Sequence, residues 1–236
     1  MELRIAVSEL SKALHRVQGI VEKKTTMPIL ANVLFETRDK NALRLSATNL
    51  EIGLTGTYPA EIVEGGAITI AGRALYDIVR SLPEATLTLK RTQNNWVEIH
   101  CGKVSYKLVG MAAEGFPALP RFEDVEFFPI EGRIFKEMID KTLYSVSADE
   151  TRYNLTGVYC EPIKAPQGLR MVSTDGHRLS VIERPMAKLP TMKKGVIIPK
   201  KGVIELRRLL DDGDGGGRLG FVENSAVFEK DGLTLT

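Results

Sequence analysis

Several features that mark special classes of protein are scarce in this sequence. Its 236 residues include only two cysteines, Cys101 and Cys160, which are too few for a disulfide framework and lack the C-x-x-C spacing of a zinc site. Apolar runs fall short of the roughly 18 residues that a membrane helix needs, and the opening residues, Met1-Glu2-Leu3-Arg4, do not form a signal peptide. We therefore expect a cytoplasmic chain without a membrane partner.

An excess of charge of one sign is also lacking. Lysine and arginine number 32 against 30 acidic residues, which gives a formal net charge of +2. A protein with this balance does not coat nucleic acid through its overall charge, so any nucleic-acid contact requires basic residues to be collected on one surface. Aromatic residues make up 6% of the chain and do not alternate with basic ones, which favours a duplex backbone over stacked single-strand bases as the target.

Catalytic and metal-binding motifs are missing as well. The three histidines, His15, His100 and His177, lie in separate segments, and the sequence contains no G-x-S-x-G, Walker A or G-x-G-x-x-G motif. The acidic, glycine-rich stretch at 212–217 matches a calcium loop only in part, because Gly216 offers no side-chain ligand. We predict a protein that is not an enzyme and that carries no metal and no cofactor.

What the sequence does contain is an internal repeat. Residues 43–49 (LRLSATN) are echoed by residues 169–175 (LRMVSTD) at an offset of 126 (169 − 43), and residues 30–36 are echoed by 155–161 at 125 (155 − 30). Residues 68–71 and 196–199 add a third pair at 128 (196 − 68). A unit this long is a globular domain rather than a solenoid repeat. We predict a first domain over 1–110, a Pro- and Gly-containing connector over 111–124, and a second domain over 125–236.

Each copy has the same order of predicted elements, namely a strand, a helix, four strands, a second helix and three strands. Helical spacing of apolar residues predicts helices after an N-cap at Ser8, over about 74–81, over 133–146 and over about 202–210. The pattern is that of an α+β protein. The second copy reaches Thr236 inside its last predicted strand, so we expect a truncated second domain and hence a fragment.

The hairpin signal at Thr174-Asp175-Gly176-His177-Arg178 is a candidate site. A tight turn between alternating strands accounts for Asp175 and Gly176, but it does not require His177 or Arg178. A plain turn and a binding site therefore remain alternatives on the residues alone.

Basic residues recur on the predicted helices and in the loop after the first one. A solvated helix face is the simple explanation for any single member, whereas recurrence across both copies favours a surface that faces the phosphates of duplex DNA. The predicted DNA-facing residues are Lys12, Arg16, Lys23, Lys24, Arg73, Arg133, Lys136, Lys200, Lys201, Arg207 and Arg208.

Four segments resemble the bacterial DNA polymerase III beta-subunit family, the replicative sliding clamps. They are residues 27–32 (MPILAN), 47–51 (ATNLE), 173–179 (STDGHRL) and 199–206 (PKKGVIEL). The resemblance implies tandem DNA-clamp domains, each with two helices on one side of antiparallel sheets. It also implies a ring around duplex DNA that keeps the polymerase processive during DNA replication. Family members have three domains and close as head-to-tail homodimers, so the third domain is expected to be absent here.

The resemblance also implies a site for short hydrophobic peptides of the replicative polymerase and clamp-loader subunits. The matching positions are Leu155, Thr174, Gly176, His177, Arg178 and Leu179. Lys24 matches a position where the family has a basic residue that contacts DNA. Asp149 matches a position where the family can have a polar, neutral residue in contact with DNA. Because this residue is acidic here, we do not predict that Asp149 contacts DNA.

Two other functions stay open on the sequence. One is a clamp of the proliferating-cell type, with two domains per chain and three chains per ring, which the length alone favours but the TDGHRL motif at 174–179 and the ending inside a predicted strand oppose. The other is a peptide-docking scaffold that never touches DNA. Persistent, salt-sensitive binding to duplex distinguishes either clamp from the scaffold.

Overall fold

The computed structural model describes residues 1–22, 26–120, 125–188, 195–211, 215–222 and 225–236. Within these ranges the chain divides into two compact units, unit 1 (Met1–Leu119) and unit 2 (Pro120–Thr236). No helix of the described ranges is long and apolar enough to cross a membrane. The connector predicted over 111–124 includes residues outside the described ranges and stays a prediction.

Unit 1 combines two helices with a set of antiparallel strands. Its elements are β1 (Glu2–Ala6), α1 (Val7–Val17), β2 (Asn32–Arg38), β3 (Ala42–Thr48), β4 (Gly53–Pro59), β5 (Glu61–Glu64), β6 (Ala67–Ala71), α2 (Gly72–Val79), β7 (Thr86–Arg91), β8 (Trp96–Cys101) and β9 (Val104–Met111). The strands pair in the order β4-β3-β2-β6-β9-β8-β7-β1-β5. Strand β9 pairs with β8 over most of its length and then with β6 through Gly110 and Met111.

Helix α1 packs its apolar stripe against the unit 1 core, where Leu10, Leu14 and Val17 are buried at helical spacing. The N-cap predicted at Ser8 is wrong, because the helix begins at Val7 and no side chain caps it. Strand β1 runs directly into the helix, and the amide of Val7 donates to the carbonyl oxygen of Ala85 at 2.9 Å. A neighbouring backbone group thus satisfies a first-turn donor that a cap residue commonly satisfies.

Unit 2 repeats this arrangement with two helices and two described sheets. Its elements are β10 (Phe127–Ile130), α3 (Gly132–Asp140), β11 (Gly157–Lys164), β12 (Gln167–Thr174), β13 (Leu179–Pro185), β14 (Val196–Pro199), α4 (Lys200–Asp211), β15 (Gly217–Val222), β16 (Ser225–Lys230) and β17 (Leu233–Leu235). One sheet has the order β13-β12-β11-β14, and β10, β15, β16 and β17 follow one another in the other. The predicted α+β class, with two helices and antiparallel sheets in each unit, is confirmed.

Helix α3 is shorter than the predicted 133–146. It ends at Asp140, and a short 3₁₀ helix follows at Leu143–Ser145. The hydroxyl of Thr142 donates back to the carbonyl oxygen of Met138 at 2.8 Å, and the hydroxyl of Ser173 donates to the carbonyl oxygen of Thr142 at 2.5 Å. Because these bonds occupy the chain just past Asp140, Tyr144 leaves the helix and is 59% exposed rather than buried.

Both cysteines are buried in strands, Cys101 in β8 and Cys160 in β11, and they form no disulfide. Burial raises the pKa of the Cys160 thiol to about 12, which leaves it protonated and unreactive at neutral pH.

Candidate functional site

The predicted hairpin is present, and its loop is organised by local hydrogen bonds. Strands β12 and β13 join through residues 175–178, and Thr174 pairs with Leu179 at the end of the ladder. One carboxylate oxygen of Asp175 accepts from the amides of His177 and Arg178, each at 3.0 Å. These two bonds, with the nearby Arg178 guanidinium, hold the pKa of Asp175 below its usual value. The carboxylate therefore stays charged and keeps the loop closed.

The threonine at the start of the loop closes it from the other side. The hydroxyl of Thr174 accepts from the amide of Gly176 at 3.1 Å and donates to the carbonyl oxygen of Arg178 at 2.7 Å. Gly176 has a φ of 91°, in the left-handed region that glycine adopts without strain. The loop is thus shaped by its own residues before any ligand binds.

Arg178 is held outside the loop by Tyr144. Its guanidinium donates to the carbonyl oxygen of Tyr144 at 2.6 Å and lies 5.5 Å from the centre of the tyrosine ring. It also bonds to the second carboxylate oxygen of Asp175 at 3.1 Å. Tyr144 is fixed in turn, because its neighbour Ser145 shares a buried 2.6 Å hydrogen bond with Ser180 of β13.

Leu155 lies at the end of a 3₁₀ helix, Tyr153–Leu155, beside the hairpin. Its carbonyl oxygen accepts from the amide of Ser147 at 2.9 Å, and its amide donates to the carbonyl oxygen of Arg152 at 2.7 Å. The Arg152 guanidinium is 3.4 Å from the position that a Cβ on Gly176 would occupy. Residues 144–147, 152–155 and 174–180 therefore meet at one place in unit 2.

The surface at this place combines apolar side chains with polar ones. Leu179 is 65% exposed and Tyr153 is 76% exposed, while Leu155 is half-buried. The His177 side chain is exposed and makes no hydrogen bond or ion pair with a described residue. Exposed apolar groups next to an exposed imidazole can contact a short extended peptide.

Sequence reasoning missed Tyr144 as a site residue and assigned Asp175 to turn geometry alone. Tyr144 fitted the apolar side of a helix predicted to continue past Asp140, and only the tertiary bonds that end this helix expose it. The contact between Arg178 and Tyr144 spans 34 residues, so no local pattern could reveal it. Asp175 carried a signal, since an aspartate can bond to amides two and three residues ahead.

In unit 1, three of the predicted DNA-facing residues lie on the helices, namely Lys12 and Arg16 on α1 and Arg73 on α2. Lys12 and Arg73 are exposed and make no ion pair with a described residue. Arg16 is half-buried, with its guanidinium 6.0 Å from the centre of the Tyr58 ring. Lys23 and Lys24 lie outside the described residues.

In unit 2, some of the predicted basic residues pair with described carboxylates and others do not. Arg133 on α3 and Lys200 at the start of α4 make no ion pair with a described residue, and Lys201 is half-buried beside Lys200. In contrast, Arg208 pairs with the buried Glu205 at 3.1 Å. The pKa of Glu205 is nevertheless raised by burial, which outweighs the effect of Arg208.

Lys136 and Arg207 are paired across the two helices of unit 2. Lys136 bonds to Asp211, and Arg207 bonds to Asp140 and, at 3.1 Å, to Asp211. The hydrogen bond from Lys136, followed by the charge of Arg207, lowers the pKa of Asp211. The hydrogen bond from Arg207 to Asp140 raises the pKa of that guanidinium. We call Lys136, Asp140, Arg207 and Asp211 the junction network.

Two tandem units that each pack two helices on antiparallel sheets define a protein of the DNA-clamp class. Residues 1–120 match the sequence model described as DNA polymerase III beta subunit, N-terminal domain. Residues 129–236 match the model described as the central domain of the same subunit. The chain belongs to the DNA polymerase III beta-subunit family.

Individual relatives agree with this assignment. The beta sliding clamp of Caulobacter vibrioides (strain NA1000 / CB15N) is 34% identical over 215 residues, which cover 89% of this chain and 58% of the relative. The beta sliding clamp of Escherichia coli K12 is 33% identical over 216 residues, with coverages of 91% and 58%. The chain therefore spans less than two thirds of the length of these relatives.

Solved structures superpose on the whole chain. The Caulobacter crescentus pol III beta structure has a TM-score of 0.93 at 33% identity, and the superposition covers 100% of this chain and 64% of that structure's chain. The DNA polymerase sliding clamp from Bacillus subtilis has a TM-score of 0.93 at 26% identity, with coverages of 100% and 63%.

Proposed function

We propose that the protein is a non-catalytic sliding-clamp subunit that encircles duplex DNA and tethers the replicative polymerase for processive synthesis. The observation that carries this proposal is the match of the two tandem units to the N-terminal and central domains of the beta subunit. The compartment that follows is the cytoplasm, where bacterial replication takes place.

The helix faces of both units are proposed to face the DNA backbone. Lys12, Arg73, Arg133 and Lys200 are the cations best placed for this, because no described carboxylate neutralises them. Contacts from lysine and arginine to phosphate give affinity without sequence preference, which suits a protein that must slide. The small net charge of +2 agrees with a clamp that is retained by enclosure rather than by tight binding.

The hairpin of unit 2 is proposed to bind short hydrophobic peptides of the polymerase and clamp-loader subunits. Leu155 and Leu179 would contact apolar side chains of the peptide, and Thr174, Gly176, His177 and Arg178 would give it polar contacts. The bonds of Asp175 and Thr174 support this role, because a loop that is already ordered loses little entropy on binding.

The proposed assembly is the head-to-tail homodimeric ring of the full-length family. Membership in the bacterial family favours this assembly over a ring of three two-domain chains. Light scattering on the 26.1 kDa chain distinguishes them. A monomer is expected if ring closure needs a third domain, whereas a trimer would favour the proliferating-cell type.

DNA binding is tested by fluorescence anisotropy with a short labelled duplex over a series of salt concentrations. Lys12→Ala and Arg133→Ala should each weaken binding and reduce the slope of log K against log salt by up to about 0.9. Lys164→Ala, an exposed lysine at the end of β11, is the control and should match the parent. A parent chain that does not bind duplex at low salt would favour the docking scaffold.

Peptide binding is tested with synthetic peptides that carry the hydrophobic segments of candidate partners. Leu179→Ala and His177→Ala should weaken binding. Val181→Ala is the matched control, because Val181 lies two residues further along the same face of β13 and is 52% exposed. Equal losses for Leu179 and Val181 would contradict a site centred on the hairpin.

A further inference from the structure

The outer surface of the α3–α4 pair carries four charged side chains that pair with one another, the junction network. Asp211 accepts from both Lys136 and Arg207, and Arg207 also bonds to Asp140, so two cations and two anions cancel. The side chains are between 35% and 43% exposed, which places them within reach of solvent and of a bound polyanion. Ion pairs this exposed contribute little to stability, so stability alone is a weak reason for them.

Unit 1 joins its helices without this network. Helices α1 and α3 begin at residues 7 and 132, an offset of 125 (132 − 7), which makes His15 the counterpart of Asp140. The His15 ring nitrogen lies 3.1 Å from the hydroxyl oxygen of Tyr76 on α2, and neither side chain bonds to a described carboxylate. At the same offset, Ser11 occupies the place of Lys136. The helix pair can therefore form without carboxylates at the junction, and those of unit 2 need another explanation.

We infer that Asp140 and Asp211 are positioning residues of the DNA-facing surface of unit 2, where they hold Arg207 and Lys136 and keep phosphate contacts at these cations short-lived. This inference rests on the proposed function. A DNA phosphate can bind either cation only by replacing a carboxylate that already makes a charge-assisted bond, so the net gain is small. The carboxylates also repel the phosphate directly.

The basic residues of unit 2 therefore have two different roles. Arg133 and Lys200, which have no described carboxylate partner, attract the backbone, while Lys136 and Arg207 present cations that release a phosphate as soon as a carboxylate returns. A clamp that slides needs a surface of this kind, because every lasting contact must be broken at each step along the duplex.

The test uses the charge-removing, nearly isosteric variants Asp140→Asn and Asp211→Asn, singly and together, in the 236-residue chain. Binding to a short labelled duplex is measured by anisotropy over a salt series. Each single variant should bind more tightly at low salt, on the order of 3- to 10-fold, and the double variant should steepen the salt slope by about 0.9 for each additional phosphate that the freed cations neutralise. Asp211→Glu, which keeps a carboxylate at this position, should bind the duplex with the affinity of the parent.

The matched control is Glu183→Gln on β13. It also removes one negative charge and breaks an ion pair, with Arg170 at 2.6 Å, but on the sheet rather than on the helices. Equal tightening by Glu183→Gln would mean a general effect of net charge and would overturn the inference. Urea unfolding of each variant checks that it folds, and the single variants remain informative if the double variant does not.

Three further results separate the possible failures. In the first result, the parent binds duplex, Arg133→Ala weakens this binding, and the Asp→Asn variants keep the affinity and salt slope of the parent. The network is then merely structural, so the inference is refuted and the proposed function stands. Weaker binding by the Asp→Asn variants would overturn the inference in the same way. If neither the parent nor any variant binds at low salt, the inference and the DNA-binding proposal fall together.

Discussion

The hydrogen bond between Ser145 and Ser180 should make a measurable contribution to the stability of unit 2. The two hydroxyl oxygens are 2.6 Å apart, and the residues are 0% and 6% exposed. Ser180→Ala leaves the Ser145 hydroxyl buried without this partner, which costs about 1–3 kcal/mol, and Ser145→Ala has the converse effect. The double variant removes both hydroxyls, so we expect it to be destabilised by at least ~1 kcal/mol less than the sum of the two single variants.

The assay is urea unfolding followed by circular dichroism, combined with amide hydrogen exchange of β12 and β13. Exchange is needed because a chain of two units can unfold in more than one step, so a single transition does not say which unit was weakened. The loss of protection should extend to the backbone amide of Arg178, because the Arg178 side chain bonds to Tyr144, which is held by its neighbour Ser145. Single variants as stable as the parent, or losses that simply add in the double variant, would refute the reasoning.

Three further predictions concern unit 2. Hydrogen bonds from Lys141 and then Arg184 lower the pKa of Glu137 from 4.5 to about 2, so its ionised form adds stability above pH 4.5 that is lost as the pH falls through about 2. Glu137→Gln should therefore lower the urea midpoint at neutral pH and flatten its decline over this window; an unchanged acid profile would contradict this. Asp175→Ala should speed exchange of the two loop amides that it accepts from by roughly 5- to 100-fold, while Asp175→Asn, which retains an acceptor oxygen, keeps most of the protection. Gly157→Ala places a Cβ 2.5 Å from a carbonyl oxygen of β14, so it should destabilise unit 2 by about 1–3 kcal/mol in urea unfolding. A change below ~0.5 kcal/mol would show instead that β14 shifts at little cost.

The duplicated architecture could be predicted because it depends on local patterns. The repeated segments 43–49 and 169–175 coincide with β3 and β12 apart from the last residue of each, and 68–71 and 196–199 lie in β6 and β14. The alternation of buried and exposed residues along a strand depends only on a few neighbouring residues, so both copies of the repeat keep the same pattern. The hairpin was predictable for the same reason, because the residues that close its loop all lie between 174 and 179.

Features that depend on distant partners could not be predicted. The end of α3 depends on Ser173, which donates to the carbonyl oxygen of Thr142 from 31 residues away. The junction network joins Asp140 to Arg207 across 67 residues; the sequence predicted Arg207 as a DNA-facing cation and gave no sign of its carboxylate partner. Charge pairing between helices is set by their packing, which no helical period encodes.

Strand β9 has a mechanical consequence for unit 1. Because it pairs first with β8 and then, through Gly110 and Met111, with β6, one continuous piece of backbone belongs to two stretches of the sheet. A Cβ at Gly110 would lie 2.6 Å from the carbonyl oxygen of Thr69, so the crossing is too close for any larger residue without a shift of the backbone. A displacement of one stretch relative to the other therefore strains the backbone of β9 as well as the hydrogen bonds on either side of it. We therefore expect the two stretches of this sheet to move together within unit 1.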